Sequence, residues 1–385
     1  MSADRRAPPR DGGVPAPTLC HVYATFAVGG PQMRFAALAN RFADRYRHLI
    51  VAMDGITAAS ERLMPGLDAV FPAVAIRKGA TFANRASFRA ALRAWRPDLL
   101  VTSNWGSIEW AVANRPRLVP HIHIEDGFGP EEQDRQLLRR VLIRRLALRR
   151  SLVVVPSRTL FRLATGTWRL PTAQVRYIPN GIDLAAFAAA PPTPLPGEGP
   201  VIGTVAALRP EKNLGRLLHA FRIVAAAGPA RLAIVGAGPE RPGLEALAAA
   251  LGLGERVIFT GHSASPAGYY RSFDVFALSS DTEQMPLSVI EAMAAGLPVA
   301  ATDVGDVREM LAAQNAPFVV PPDPAALAEA LLALLRDAPA RAAIGAANRA
   351  RAAAAFDQEA MFAAYAGLFD TAIGGTGRPS QAFSR

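Results

Sequence analysis

The chain has 385 residues, with 42 Lys and Arg against 32 Asp and Glu, 51% hydrophobic residues and a single cysteine. This composition is globular rather than disordered, and the length suits about two or three domains. A lone Cys20 excludes an internal disulfide, a cysteine zinc site and an iron–sulfur cluster, and it fits a reducing cytoplasm. The net charge of +10 is unevenly placed. Residues 1–190 carry 27 basic and 14 acidic groups, whereas residues 191–385 carry 15 and 18. The first half therefore presents a positive field and the second a weakly negative one.

Residues 1–17 are rich in Arg, Pro and Gly, have no apolar core, and read as a flexible leader rather than a signal peptide. No uncharged apolar stretch is long enough to predict a transmembrane helix. Apolar runs at 19–26, 48–53, 98–102, 118–124 and 152–156 predict strands, with a helix over 33–42 and further helical stretches between. Five prolines within 191–200 exclude a helix or central strand and predict an interdomain linker. Alternation then resumes. Strands are expected at 201–206, 231–235, 257–260, 275–277 and 298–302, and helices at 214–226, 244–251, 286–295, 325–335 and 358–373. Alternating elements imply an α/β protein with two doubly wound, Rossmann-like domains facing a cleft. The expected divisions are a leader at 1–17, an N-terminal domain at 18–187 and a linker at 188–200. A C-terminal domain follows at 201–355, then a helix at 356–373 and a tail at 374–385.

The most informative segment runs from Ser279 to Val299 and holds two carboxylates, Glu283 and Glu291. Pro286 suits the first position of a helix, which leaves Glu283 in the preceding loop and Glu291 on the helix. The free amides around Met285, Pro286 and Leu287, with the positive end of the helix dipole, form an anion site. An ordinary helix start, with Glu283 as a capping acid, fits the same spacing. Arg209 and Lys212 follow the first strand of the second domain and could neutralise a diphosphate. Two solvated loop cations fit those positions as well. Only Lys78 and Lys212 are lysines, so the second is the more informative for standing where it does. Gly29 and Gly30 follow the first strand, where their amides could approach a phosphate or simply make a turn.

These residues together resemble the family-4 (group 1) retaining glycosyltransferases of the GT-B fold. Glu283 and Glu291 match that family's E-x7-E signature, and Arg209 with Lys212 matches its basic pair. The segments 179–183 (PNGID), 236–240 (GAGPE) and Gly29-Gly30 match three further motifs in order. The resemblance implies that Arg209 and Lys212 neutralise the departing diphosphate of a nucleotide-sugar donor. It implies that the amides near Met285 and Leu287 bind the same group, that Glu291 holds the ribose, and that Glu283 contacts the sugar. Gly29 or Gly30 would approach the distal phosphate. No cofactor and no metal are expected, because cations and a helix dipole stabilise the leaving group.

Two positions depart from the family. Where members often place a histidine before a glycine, this chain has Asp126 before Gly127, with Glu125 beside it and His123 three residues upstream of Asp126. Either Asp126 or His123 would then serve near the acceptor. Gly305-Asp306 stands where many members have two glycines. The Gly236-Ala237-Gly238 turn lacks the third glycine of a dinucleotide fingerprint, since residue 241 is arginine. Asp281-Thr282-Glu283 only superficially resembles a metal-binding triplet.

Residues 135–150 hold seven arginines on one expected helix, whose basic and apolar faces do not separate cleanly on a helical wheel. Its place in the positive half keeps an anionic membrane as a partner, while no aromatic interleaving supports nucleic acid. The expected protein is a cytoplasmic glycosyltransferase, peripheral on the inner membrane. It would transfer a sugar from a UDP- or GDP-sugar to a lipid-linked or saccharide acceptor in cell-envelope or exopolysaccharide synthesis. The alternatives are a non-catalytic nucleotide-sugar-binding protein or a sugar-nucleotide epimerase of the same architecture.

Overall fold

The computed structural model describes residues 15–374 apart from 78, 129 and 133–134. Most of the expected leader, residues 375–385 of the expected tail, and Lys78 lie outside the described residues. The chain divides into two compact units. Among the described residues, one comprises 15–155, 160–177 and 362–374, and the other comprises 156–159 and 178–361.

In chain order the first unit contains β1 (Thr18–Tyr23), α1 (Gly30–Arg41), β2 (Arg47–Ala52), β3 (Ala69–Val70) and α2 (Thr81–Trp95). It continues with β4 (Leu99–Ser103), α3 (Ile108–Ala113), β5 (His121–Ile124), α4 (Leu138–Ala147) and β6 (Leu152–Val155). After α5 (Arg158–Arg162), whose first two residues belong to the second unit, comes β7 (Val175–Tyr177). The seven strands form one parallel sheet in the order β3-β2-β1-β4-β5-β6-β7.

The second unit contains α6 (Leu184–Ala189), β8 (Val201–Val205), α7 (Leu214–Ala227), β9 (Arg231–Val235) and α8 (Arg241–Ala250). Then follow β10 (Val257–Gly261), α9 (Ala267–Tyr270), β11 (Val275–Leu278), α10 (Leu287–Ala295) and β12 (Val299–Thr302). The chain ends on α11 (Val307–Met310), β13 (Val319–Val320), α12 (Pro324–Arg336), α13 (Ala338–Ala355) and α14 (Gln358–Gly374), whose later residues join the first unit. Its six strands are also parallel, in the order β10-β9-β8-β11-β12-β13. The expected pair of doubly wound sheets is present.

The central strands β4, β5, β11 and β12 are buried along their whole length. Helices cover both faces of such strands, so they read as continuous apolar runs and not as alternation. The short edge strands β3, β7 and β13, of two or three residues, carry too little pattern to be read from sequence. Helix α13 was not among the expected elements. Its signals are nevertheless local: Pro339 lies in its first turn, and the Asp337 side chain accepts from the Ala340 amide at 2.8 Å.

The chain crosses between units at 155/156, 159/160, 177/178 and 361/362, none of them within the proline-rich segment expected to carry the crossing. That segment packs on the second unit. The Thr193 amide donates to the Gly268 carbonyl at 2.9 Å, and the Leu195 carbonyl accepts from Arg231 at 3.1 Å. Ser272 Oγ donates to the Thr193 carbonyl at 2.5 Å. Prolines offer no N–H, so side chains satisfy the carbonyls around them. Among the described residues no helix is long and apolar enough to cross a membrane.

The first unit buries four histidines. His21 and His48 share a hydrogen bond of 3.2 Å, and His121 and His123 sit on β5. Burial holds His48 down to about 4 from an ordinary 6.5. Burial, then His123 and Arg117, hold His121 down to about 3. The folded unit keeps both rings neutral while the unfolded chain protonates them near 6.5. Stability is therefore complete above that pH and is lost as pH falls from 6.5 toward 4. The melting temperature, followed by circular dichroism, is expected to drop between about pH 7 and pH 5, with a shallower slope in His48→Gln. A flat profile would contradict the assignment.

Candidate functional site

In the second unit, the loops after β8, β9, β11 and β12 stand along one sheet edge because all these strands run parallel. The loop after β8 is held by the turn after β9. The Leu208 amide donates to the Ala237 carbonyl at 3.0 Å, and the Glu240 amide to the Leu208 carbonyl at 3.1 Å. Gly236 has φ +148°, and a Cβ there would lie 1.8 Å from the Ala206 carbonyl oxygen, so only glycine permits this approach. The result fixes the chain that leads into Arg209, whose side chain is exposed.

Lys212 and Glu283 come together. Lys212 Nζ lies 2.6 Å from Glu283 Oε1, and Ser280 Oγ donates to the same oxygen at 2.8 Å. Neighbouring Asp281 is already occupied. Arg216 approaches it at 2.6 Å and Asn213 Nδ2 at 3.1 Å, and its own amide donates to the Glu211 carbonyl at 2.9 Å. Asp281 thus ties the loop after β11 to the loop after β8.

Pro286 is the N-cap of α10 rather than its first residue, and Leu287 begins the helix. The Val289 amide donates to the Pro286 carbonyl at 3.2 Å, while by helix geometry those of Leu287 and Ser288 have no partner within α10, and the helix dipole makes this an attractive end for an anion. Met285 is buried beside this end. Asn180 of the 179–183 segment donates its amide to Met285 Sδ at 3.4 Å and its side chain to the Met285 carbonyl at 3.3 Å. Glu291, half-buried on α10, accepts from the Tyr270 hydroxyl at 2.6 Å through Oε2. Burial raises the Glu291 pKa, and the Tyr270 bond opposes that rise. Tyr270 is a partner that sequence reasoning missed, since no spacing links α9 to α10.

Gly305 has φ +55°, and a Cβ there would lie 2.2 Å from the Glu283 carbonyl oxygen, so the glycine lets this loop close on Glu283. The unexpected Asp306 has a structural use. Its amide donates to the Gln284 carbonyl at 3.0 Å, while its carboxylate accepts from the amides of Arg158 and Thr159 at the start of α5.

In the first unit, Gly29 is the extended cap of α1 and Gly30 its first residue. Arg34, on the same helix, grips Asp126 with two hydrogen bonds of 2.6 and 2.9 Å. The Asp126 amide donates to Asn104 Oδ1 at 2.7 Å, and the Arg34 guanidinium lies 5.7 Å from the centre of the Tyr365 ring. Asp126 is thus an ion-paired carboxylate and not a free base. His123 is fully buried, bonded to Thr102 Oγ1 at 2.8 Å and 3.5 Å from Glu125 Oε2, so it faces the interior and not a ligand. The strand pattern hid this: every β5 residue is covered, and nothing local marks which polar side chain remains reachable.

A cavity of about 440 Å³ lies in the first unit beside Asp126, lined by Asn104, Trp105, Phe128, Glu131 and Arg140 among others. Its walls rest on one fully buried arginine. Arg144 bonds Glu132 at 2.9 and 3.0 Å and Glu125 at 3.3 Å. Its guanidinium also lies 5.0–5.2 Å from the ring centres of Trp105, Phe128 and Trp168.

Residues 199–337 match the family described as Glycosyl transferases group 1, and residues 28–186 match Glycosyltransferase Family 4. The chain belongs to the group 1, family-4 glycosyltransferases. This glycosyltransferase is 29% identical over 337 residues to the 2-deoxystreptamine N-acetyl-D-glucosaminyltransferase of Streptomyces fradiae, covering 77% of this chain and 79% of that one. It is 34% identical over 150 residues to a GDP-mannose-dependent alpha-mannosyltransferase of Mycobacterium tuberculosis, 37% of each. Among solved structures it is similar to Anabaena HepE in complex with UDP, with a TM-score of 0.77 at 19% identity over 92% of this chain and 100% of that one. Thermosynechococcus elongatus sucrose-phosphate synthase gives 0.74 at 22% identity, over 94% and 100%. The two Rossmann-like domains are those of a GT-B enzyme.

The Arg144 cluster yields a test in this glycosyltransferase. Arg144→Leu leaves Glu125 and Glu132 buried with their main countercharge removed, at an expected cost of about 3–5 kcal/mol in urea denaturation. A loss below about 1 kcal/mol would show that the cluster does not hold the loop.

Proposed function

We propose that the enzyme transfers a sugar from a UDP- or GDP-sugar to a lipid-linked or saccharide acceptor, with retention at the anomeric carbon. The observation that carries this reading is the 2.6 Å Lys212–Glu283 pair, set on the same sheet edge as exposed Arg209 and the start of α10. Transfer breaks the bond between the anomeric carbon and the diphosphate oxygen. The acceptor oxygen bonds to that carbon on the same face, and the hydroxyl proton leaves with the diphosphate. Negative charge therefore grows on the diphosphate as the bond breaks. Lys212, Arg209 and the amides near Met285 and Leu287, on either side of the Pro286 cap, would meet it. Groups oriented before reaction stabilise such charge without reorganising. These groups supply that stabilisation without a divalent metal.

Glu283, oriented by Lys212 and Ser280, would accept hydrogen bonds from the donor sugar, and Glu291, held through one oxygen by Tyr270, from the ribose. In the first unit the amides of Gly29 and Gly30 offer a helix terminus to an anion. Asp126 with Arg34 would orient the acceptor beside the cavity. The relatives support a nucleotide-linked donor: one is named GDP-mannose-dependent, and HepE is seen with UDP. The positive first half supports a cytoplasmic enzyme of envelope or exopolysaccharide synthesis, peripheral on an anionic membrane.

Lys212→Ala and Glu291→Ala should each lower kcat by about 100-fold or more with an unchanged circular dichroism spectrum. Calorimetry should show wild-type binding of a UDP- or GDP-sugar. Near-normal transfer by both variants, or no binding of either donor class, would overturn the reading.

A further inference from the structure

Helix α4 spans Leu138–Ala147, shorter than the stretch of arginines in which it lies. Its residues do not share one environment. Arg144 is fully buried and Arg140 half-buried, both turned inward onto Glu131, Glu132 and Trp105. Ala147 is buried on the same side. The opposite side holds Leu138, Leu142 and Leu146, which are 86%, 55% and 50% exposed. At about 100° per residue these three occupy an arc of roughly 80°. Exposed Arg139 and Arg145 flank that arc on either side. The wheel drawn from sequence blurred this division because it treated the two inward arginines as solvated.

The patch extends beyond the helix. Arg115 donates to the Leu146 carbonyl at 2.7 Å, which brings the 115–118 turn, with exposed Arg117 and Leu118, against the end of α4. Leu137 is exposed at the other end. Across 115–118 and 135–150 there are seven exposed arginines and no acidic residue. Soluble monomers rarely leave a stripe of leucines uncovered, and such stripes mark interaction surfaces.

We infer that α4, with the 115–118 turn, is an interfacial helix that seats the first unit on an anionic lipid surface, its leucines in the acyl boundary and its arginines on the headgroup phosphates. This rests on the peripheral location proposed above and names the surface responsible. Charge complementarity selects the occupant. Apolar burial and basic flanks together match a lipid headgroup layer, into which such helices sink by about 5–10 Å. A nucleic-acid backbone would use the arginines but has no place for three leucines.

Co-sedimentation of the full chain with vesicles tests this directly. Wild type should bind phosphatidylcholine–phosphatidylglycerol vesicles, weaken as salt rises, and bind phosphatidylcholine alone poorly. Leu138→Ser with Leu142→Ser should weaken binding at least ~10-fold. Arg139→Gln with Arg145→Gln should weaken it ~25-fold, at about fivefold per arginine, and flatten the salt dependence. Both double variants alter exposed positions, so melting temperature and calorimetric donor binding should match wild type. Absence of wild-type binding at low salt, or undiminished binding by the leucine variant, overturns the inference. So does preferential binding of an oligonucleotide, or self-association that the leucine variant abolishes while vesicle binding persists. Vesicle binding by a chain that binds no nucleotide sugar would sink the functional reading and leave this one standing.

Discussion

Parallel strand pairing is the constraint on which the rest of this enzyme depends. A parallel ladder cannot be closed by a tight turn, so every connection crosses over a face of the sheet and returns to the same end. The carboxyl ends of β8, β9, β11 and β12 consequently share one edge. Residues far apart in sequence become neighbours there: Lys212 with Glu283, Asn213 with Asp281, and Ala206 with Gly236. In the second unit the strand order reverses beside β8, where β9 leads one way and β11 the other. Open α/β sheets hold ligands at such a point. Glycines at 236 and 305 let the loops close against each other at distances that a side chain would forbid.

Charge is handled in two ways on the two units. Around Lys212 and Glu283 it remains partly reachable, the side chains being 25% and 10% exposed. A pair of that kind can exchange its partners for those of a ligand. Around Arg144 charge is sealed in. A desolvated guanidinium is tolerable only with excellent partners, and here two carboxylates and three aromatic rings surround it. The outcome is architectural. One inward arginine fastens the segment after β5, including Phe128 and Glu132, to α4 and to Trp105. With Arg140 and Arg144 turned inward, the solvent side of α4 is left to leucines and the remaining arginines.

The paired Asp126 shows how a departure from a family pattern can be absorbed. Arg34 supplies two hydrogen bonds to the carboxylate, and Asn104 anchors its backbone. The substitution therefore travels with its own countercharge. Gly305-Asp306 behaves likewise, since the acid caps the start of α5. Neither compensation is visible in the local sequence, because each partner comes from a distant segment.

The sequence by itself determined the fold class, most central strands, and the family. Buried parallel strands are continuous apolar runs, helix starts carry local cap chemistry, and the Glu283–Glu291 and Arg209–Lys212 spacings are local patterns. Tertiary structure decided which polar side chains meet. It buried His123, paired Asp126 with Arg34, gave Glu291 the hydroxyl of Tyr270, turned two of seven arginines inward, and put the crossings between units outside the proline-rich segment. The physical reason is that an ionisable side chain looks the same in sequence whether solvated or sealed against a partner. Only the topology that brings distant segments together settles its desolvation and its countercharge.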